Sequence, residues 1–180
     1  MAKLKPPVQW EDHIQGNPQA AVVLTEYGDL ECPHCGIAHT ILKKLEAKYR
    51  DQLALVFRHF PLSEAHPHAI MAAIATEAAG RQGKFWQMHD MIFENQSKLS
   101  ASYLLRMADS LHLDITAFEK DRADPKLAEK VDADFESGIM SGVNGTPSFY
   151  INGVKYNDSY DFESMSEAID HAIANHPVAK

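Results

Sequence analysis

Cysteine is nearly absent from this chain: 180 residues contain two, Cys32 and Cys35, in the stretch "YGDLECPHCGIAHTILKKLEAKYR" (27–50). So few cysteines exclude the disulfide-dense scaffold of small secreted domains, and a bond between these two would serve chemistry. Basic blocks are missing too. The formal net charge is −8 and no run of lysine or arginine exceeds Lys43-Lys44. Phosphate backbones attract basic surfaces, so no nucleic-acid partner is expected. Long apolar runs are also missing. The longest, "AIMAAIA" (69–75), falls far short of the roughly 20 residues that span a bilayer, so no direct membrane insertion is expected. The opening "MAKLKPPVQWEDH" lacks the apolar core of a signal peptide. As written, the chain is therefore expected in the cytoplasm, with a periplasmic or exported location as the alternative if a leader precedes it. Repeats and low-complexity tracts are absent.

What is present fits an ordinary globular chain, 45% hydrophobic and 23% charged, of one domain or one domain with a large insertion. The β-branched run "AAVVLTEYG" (20–28) reads as a buried strand. After the cysteines, Ile37, Ala38, Ile41, Leu42, Leu45 and Tyr49 recur at three- and four-residue steps, which predicts an amphipathic helix over about 33–50. "QLALVFRHFPL" (52–62) follows as a second strand, making a βαβ unit with parallel strands. From Ser63 to about Met140 the patterns are helical throughout. Pro67 is expected in the first turn of the first of these helices, and Ser100, Asp114 and Asp124 are expected to cap later ones. Asn152-Gly153, between the apolar runs of "TPSFYINGVKY" (146–156), is a strong hairpin signal. A last helix is expected over about 161–175.

Position makes the cysteine pair informative. Cys32 falls at a strand-to-helix junction, and Pro33 suits the first helical turn, where its missing N–H costs nothing. Unpaired backbone N–H groups and the helix dipole favour a thiolate there. His34 is placed to add a hydrogen bond or a positive charge, and Cys35, one turn on, is expected to be more buried. A zinc site would need further ligands from His39, His66 or His68, and no second pair stands at zinc-finger spacing. Two inert buried cysteines are the remaining alternative. A redox pair is the preferred reading; it needs no cofactor and no metal.

"CPHC" on a βαβ unit, a helical insertion and the late "GTPSFYINGV" together resemble the DsbA family of thioredoxin-fold thiol–disulfide oxidoreductases, over nearly the whole chain from Trp10. The resemblance implies an α/β thioredoxin fold, residues 1–62 and 141–180, carrying an all-helical insertion, 63–140. It implies that Cys32 forms the mixed disulfide with a protein or peptide substrate and that Cys35 resolves it. It also implies that Thr146-Pro147 is a cis bond beside the cysteines, with Thr146 presenting backbone to an extended substrate. Glu26, six residues before Cys32, shares the strand face of Val22 and Leu24. In thioredoxin-like proteins the acid at this offset relays the second cysteine's proton. The expected activity is that of a DsbA-like dithiol oxidase with a separate, unidentified redox partner. Oxidases of the family carry Val where this chain has Thr146, and Thr resembles isomerases and some reductases, so a cytosolic reductase or isomerase is the alternative. A peptide-binding, chaperone-like module stands outside the enzyme class. Asp29 and Glu31 are expected to be solvated loop acids, Arg58 or His59 to pair with Glu26, and His66, His68 and His89 to be helix-surface or packing residues. Phe85, Trp86, Met88, Met91, Ile92 and Phe93 are expected mostly in the core of the helical block.

Overall fold

The computed structural model describes residues 2–175. Five strands form one mixed sheet in the order β1-β3-β2-β4-β5: β1 His13–Gly16, β2 Val22–Gly28, β3 Leu53–His59, β4 Ser148–Ile151 and β5 Val154–Tyr156. The central pair, β2 and β3, is parallel, with Glu26 opposite Phe57; β1 and β4 flank it antiparallel. Helix α1, Pro33–Tyr49, makes the crossover between the parallel strands, as a connection of that kind requires. Both central strands are almost fully buried, which is why they read as apolar runs without alternation.

Val22, Leu24, Leu53 and Leu55 pack on one face against Leu42 and Leu45 of α1 and Met165 and Ile169 of α7, Phe162–Asn175. Each such side chain removed from water contributes roughly 1.5–3 kcal/mol. On the other face Tyr27, Phe60 and Tyr150 gather with Leu4 and Val143. The Asn152-Gly153 turn joins β4 to β5 with both residues at positive φ, 47° and 78°, the geometry that Asn-Gly hairpins favour.

Between β3 and β4 stand five helices: α2 Ala69–Gly80, α3 Phe85–Glu94, α4 Ala101–Ser110, α5 Ile115–Arg122 and α6 Pro125–Ser141. The expected caps are in place. Ser100, Asp114 and Asp124 accept from the backbone N–H groups of Tyr103, Ala117 and Lys126. Phe85, Met88, Ile92 and Phe93 are buried in a core that also takes in both cysteines and Phe57, with Trp86 and Met91 half-buried against it. The block therefore packs directly on the cysteine motif. The first helix departs from expectation, because α2 begins at Ala69 and Pro67 lies in the turn before it. Glu31 explains the late start: it accepts from the His68 backbone N–H at 2.6 Å, anchoring the segment that would have been the first turn.

Candidate active site

Strand β2 ends at Gly28, and three residues, Asp29 to Glu31, carry the chain to Cys32, the N-cap of α1, in extended conformation with φ −69° and ψ 122°. Pro33 is the first helical residue. The turn is held from both sides. Asp29 is buried and accepts from the backbone N–H groups of Leu62 and Glu31, each at 2.8 Å, and from His66 Nδ1 at 2.7 Å. Glu31 accepts from His68 Nδ1 at 2.7 Å. These acids are therefore structural anchors rather than solvated loop groups; the partners that bury them arrive from 33 to 37 residues away. Gln96, just past α3, donates from Nε2 to the carbonyls of Leu30 and Cys32, both at 2.9 Å. Only glycine fits at residue 36 for this contact, since a Cβ there would lie 2.4 Å from Gln96 Oε1.

Both cysteines are free thiols, Cys32 4% exposed and Cys35 fully buried. Cys32 Sγ lies 3.6 Å from the carbonyl oxygen of Thr146, and the Thr146–Pro147 peptide bond is cis. Thr146 Oγ1 is buried without a hydrogen-bond partner among the described residues. His34 is exposed, with its Nδ1 3.3 Å from the Tyr160 hydroxyl; it reaches the Cys32 sulfur through its backbone N–H. Tyr160 and Gln96 gave no sequence signal, because nothing local marks a residue as a distant neighbour of the motif.

Electrostatics separate the two thiols. A hydrogen bond from the Cys35 thiol brings Cys32 down from 9.0 to about 5, against burial and with help from the backbone N–H groups of Cys35 and His34. Burial pushes Cys35 well above the ordinary thiol value, and the bond it gives to Cys32 and the charge of Glu26 add to that. At neutral pH the pair is one thiolate and one thiol. Glu26 is 3% exposed. Burial first, and the Cys32 charge second, raise its carboxyl from 4.5 to about 8. Neither candidate partner on β3 reaches it. Arg58, on the opposite face of β3, makes a bidentate pair with Asp12, both bonds 2.8 Å, and His59, on the face of Phe57 and Glu26, gives its Nε2 to Glu77 instead, at 3.0 Å. His66 is placed by Asp29 beside the motif. Burial opposes its charge, but Asp29, with Cys32 and Glu31 adding, holds its pKa above the ordinary value. A histidine expected on a helix surface thus belongs to the surroundings of the thiolate. His89, by contrast, is a buried packing residue in an aromatic cluster with Phe57, Phe85 and Phe93.

Two other clusters bring metal-ligand atom types together, His39 with His89 and Asp90, and His59 with Glu77 and Asp134. Each already carries a lysine ammonium on its carboxylate, Lys43 on Asp90 at 2.7 Å and Lys130 on Asp134 at 2.6 Å. Both read as ion-pair networks, and neither includes a cysteine.

A low-pKa thiolate at a helix start, a buried second thiol and a buried acid beneath them, on this sheet, define a thioredoxin-fold thiol–disulfide oxidoreductase. The family model described as Thioredoxin matches residues 9–171, and the chain belongs to that family. Among curated relatives, it is 40% identical over 163 residues to "Na(+)/H(+) antiporter NhaA 1" of Salinispora arenicola, covering 91% of this chain and 25% of that protein. It is 38% identical over 168 residues to "Na(+)/H(+) antiporter NhaA" of Herminiimonas arsenicoxydans, covering 93% of this chain and 27% of that protein. The chain thus spans about a quarter of the length of these relatives. Among solved structures, alpha-DsbA1 of Wolbachia pipientis matches at TM-score 0.84 and 24% identity, over 95% of each chain. Oxidised BdbD of Bacillus subtilis matches at 0.85 and 21%, over 96% of this chain and 98% of that one. A thioredoxin-like oxidoreductase from Silicibacter pomeroyi matches at 0.79 and 25%, over 92% and 94%.

Proposed function

We propose that the protein introduces disulfides into protein or peptide dithiols, as a DsbA-like dithiol oxidase. The observation that carries this reading is the depressed pKa of Cys32. A thiol that is stable as thiolate leaves readily, so a disulfide made with it is readily given up. In the forward reaction a substrate thiolate attacks Cys32 Sγ and the Cys32–Cys35 bond breaks. The electron pair goes to Cys35, which takes a proton from Glu26. A second substrate thiolate then attacks the substrate sulfur of the mixed disulfide, and Cys32 leaves as a thiolate. One substrate dithiol becomes a disulfide, the enzyme disulfide becomes one thiol and one thiolate, and one proton is released. A separate redox partner of disulfide or quinone class would reoxidise the enzyme.

Substrate would lie extended along Thr146 and Pro147, whose backbone borders Cys32, adding to the sheet as peptides do in strand addition. Ile37 is exposed at the start of the second turn of α1 and offers an apolar contact to an unfolded chain. We take residues 1–62 and 141–180 as the catalytic unit and 63–140 as the insertion that covers the motif. This direction of electron flow requires a setting in which glutathione does not hold the pair reduced. Thr146 favours a second reading, a reductase or isomerase. Oxidation of a reduced unfolded protein, run beside reduction of a disulfide substrate, separates the two. Fast oxidation abolished by Cys32→Ser supports the oxidase, whereas fast reduction with negligible oxidation overturns it.

A further inference from the structure

The loop between β5 and α7 brings one aromatic residue to the cysteine motif. Tyr160 places its hydroxyl 3.3 Å from His34 Nδ1, across 126 residues of sequence. The loop around it is pinned on both sides. The Ser159 carbonyl accepts from the Tyr156 hydroxyl at 2.6 Å. The Asp161 carboxylate accepts from the Ser164 backbone N–H at 2.8 Å and from the Ser164 hydroxyl at 2.9 Å, which fixes the start of α7. The Tyr160 ring lies 6.2 Å from that of Phe149 on β4 and packs half-buried against the core shared by the sheet, α1 and α7. A side chain locked by its own packing and by its neighbours' hydrogen bonds can position another.

His34 needs such a partner. Its side chain is exposed and has no other hydrogen-bond partner among the described residues. Its backbone N–H already reaches the Cys32 sulfur, so an imidazole turned back over that atom would reach it as well. The ring is instead at Tyr160, and Cys32 Sγ meets the Thr146 carbonyl. Tyr160 keeps its hydrogen at neutral pH, because burial, with the charges of Cys35 and Cys32 adding, raises it above the ordinary phenol value. That hydrogen has one acceptor among the described residues, His34 Nδ1. A neutral imidazole that accepts at Nδ1 carries its own hydrogen on Nε2.

We propose that Tyr160 is a positioning residue for His34, holding the imidazole by Nδ1 and off the Cys32 sulfur, so that His34 supports the thiolate through its backbone alone. Tyr160 thereby limits how oxidising the Cys32–Cys35 couple is. An imidazole released toward Cys32 would add a hydrogen bond to the thiolate. That bond exists only in the reduced protein, so it would favour the dithiol and make the couple more oxidising. The inference rests on thiol–disulfide exchange at Cys32 and deepens it, by naming a residue outside the motif that moderates the motif's histidine.

The test is the equilibrium constant with glutathione at pH 8, measured on the full chain in two backgrounds. Tyr160→Phe keeps the ring on Phe149 and removes only the hydroxyl. Its equilibrium is expected to shift about threefold toward the dithiol, the size of one exposed hydrogen bond. On a His34→Ser background, which keeps the backbone N–H of residue 34 but lacks the ring, the same substitution is expected to shift nothing. A tyrosine that merely packs would act alike in both. A nitrogen-15 spectrum of the reduced wild type at the same pH is expected to show the His34 hydrogen on Nε2. No shift in Tyr160→Phe, a shift toward the disulfide, an equal shift in both backgrounds, or wild-type hydrogen on Nδ1 overturns the proposal. These readings concern one tautomer and one difference between variants, so they stand or fall apart from the direction that exchange assays assign.

Discussion

The sharpest consequence of the site concerns how the reduction potential depends on pH. Ionisation of Cys32 near 5 instead of 9.0 stabilises the reduced protein only, because the disulfide has no thiol to ionise. A pKa depressed by folding contributes stability that is complete above the ordinary value, shrinks as pH falls, and is lost below the folded value. The window therefore runs from about 9 down to about 5. At pH 7 about two units of it apply, or roughly 2.7 kcal/mol. For a two-electron couple that is about 60 mV toward the oxidising side of an otherwise equal dithiol. The shift moves the protein from the roughly −270 mV of thioredoxin in the direction of the roughly −120 mV of DsbA.

The slope is a stricter check than the absolute value. Between pH 5 and 9 reduction takes up one proton, on Cys35, and the potential should fall by about 30 mV per unit. Below pH 5 it takes up two and should fall by about 59 mV per unit. Glu26 hardly enters, because the burial that dominates its shift is the same in both redox states. Equilibration in graded dithiol–disulfide buffers from pH 4.5 to 8.5, followed by alkylation and mass counting, gives the curve. Thiolate absorbance near 240 nm gives the Cys32 midpoint independently. A slope of about 59 mV per unit through neutrality would mean that Cys32 is a thiol there, and the case for an oxidase would lose its basis.

Glu26 gives a prediction of opposite sign. Its pKa is raised by folding, so its contribution is complete below 4.5 and is lost as pH rises through about 8. Glu26→Gln should stabilise the oxidised protein at pH 7 by up to about 3 kcal/mol in urea unfolding, with the gain gone at pH 4.5; an equal effect at both pH values would contradict the assigned burial. Gly36→Ala should displace the Gln96 amide and take that donor from the Leu30 carbonyl, while the Cys32 carbonyl keeps the residue-36 N–H; a cost of about 1 kcal/mol is expected, measured by the same unfolding curves. Asp12→Ala leaves Arg58 buried without its carboxylate and should cost about 3–5 kcal/mol, read as a lowered urea midpoint. Cys35→Ala should accumulate a mixed disulfide on Cys32 with substrate, visible as added mass that a reductant removes, whereas a Cys32→Ala protein should accumulate none.

Which parts of the molecule were legible in the sequence follows from how local their causes are. Strands β2 and β3 and helix α1 announce themselves because burial on both faces, or on one stripe, writes a pattern into consecutive residues. Asp114 and Asp124 cap helices through bonds to residues two or three positions on, so their chemistry is visible in place. Strand β1, "HIQG", carries no such pattern. It is four residues held at an edge by β3, and pairing rather than composition makes it a strand. The same division runs through the site. The helix start at Cys32, with Pro33 behind it, is a local arrangement. The burial of Asp29 is not: two polar loop residues read as solvated until Leu62, His66 and His68 arrive to satisfy them.

That distinction accounts for the chemistry as well. Cys32 and Cys35 are the same side chain three residues apart, yet their pKa values move in opposite directions. Burial opposes ionisation at both, so burial alone cannot separate them. The Cys35 hydrogen bond separates them, because it stabilises charge on Cys32 and is lost when Cys35 ionises. Backbone N–H groups at the helix start reinforce the first thiolate, while a negative Glu26 would further discourage the second. Charge is thus confined to the sulfur beside Thr146, where substrate would enter, and a proton is kept on the sulfur that must leave and return. Under the proposed oxidase reaction, a neutral Glu26 would be the source of that proton. Its protonation state therefore belongs to the same device as the cysteines.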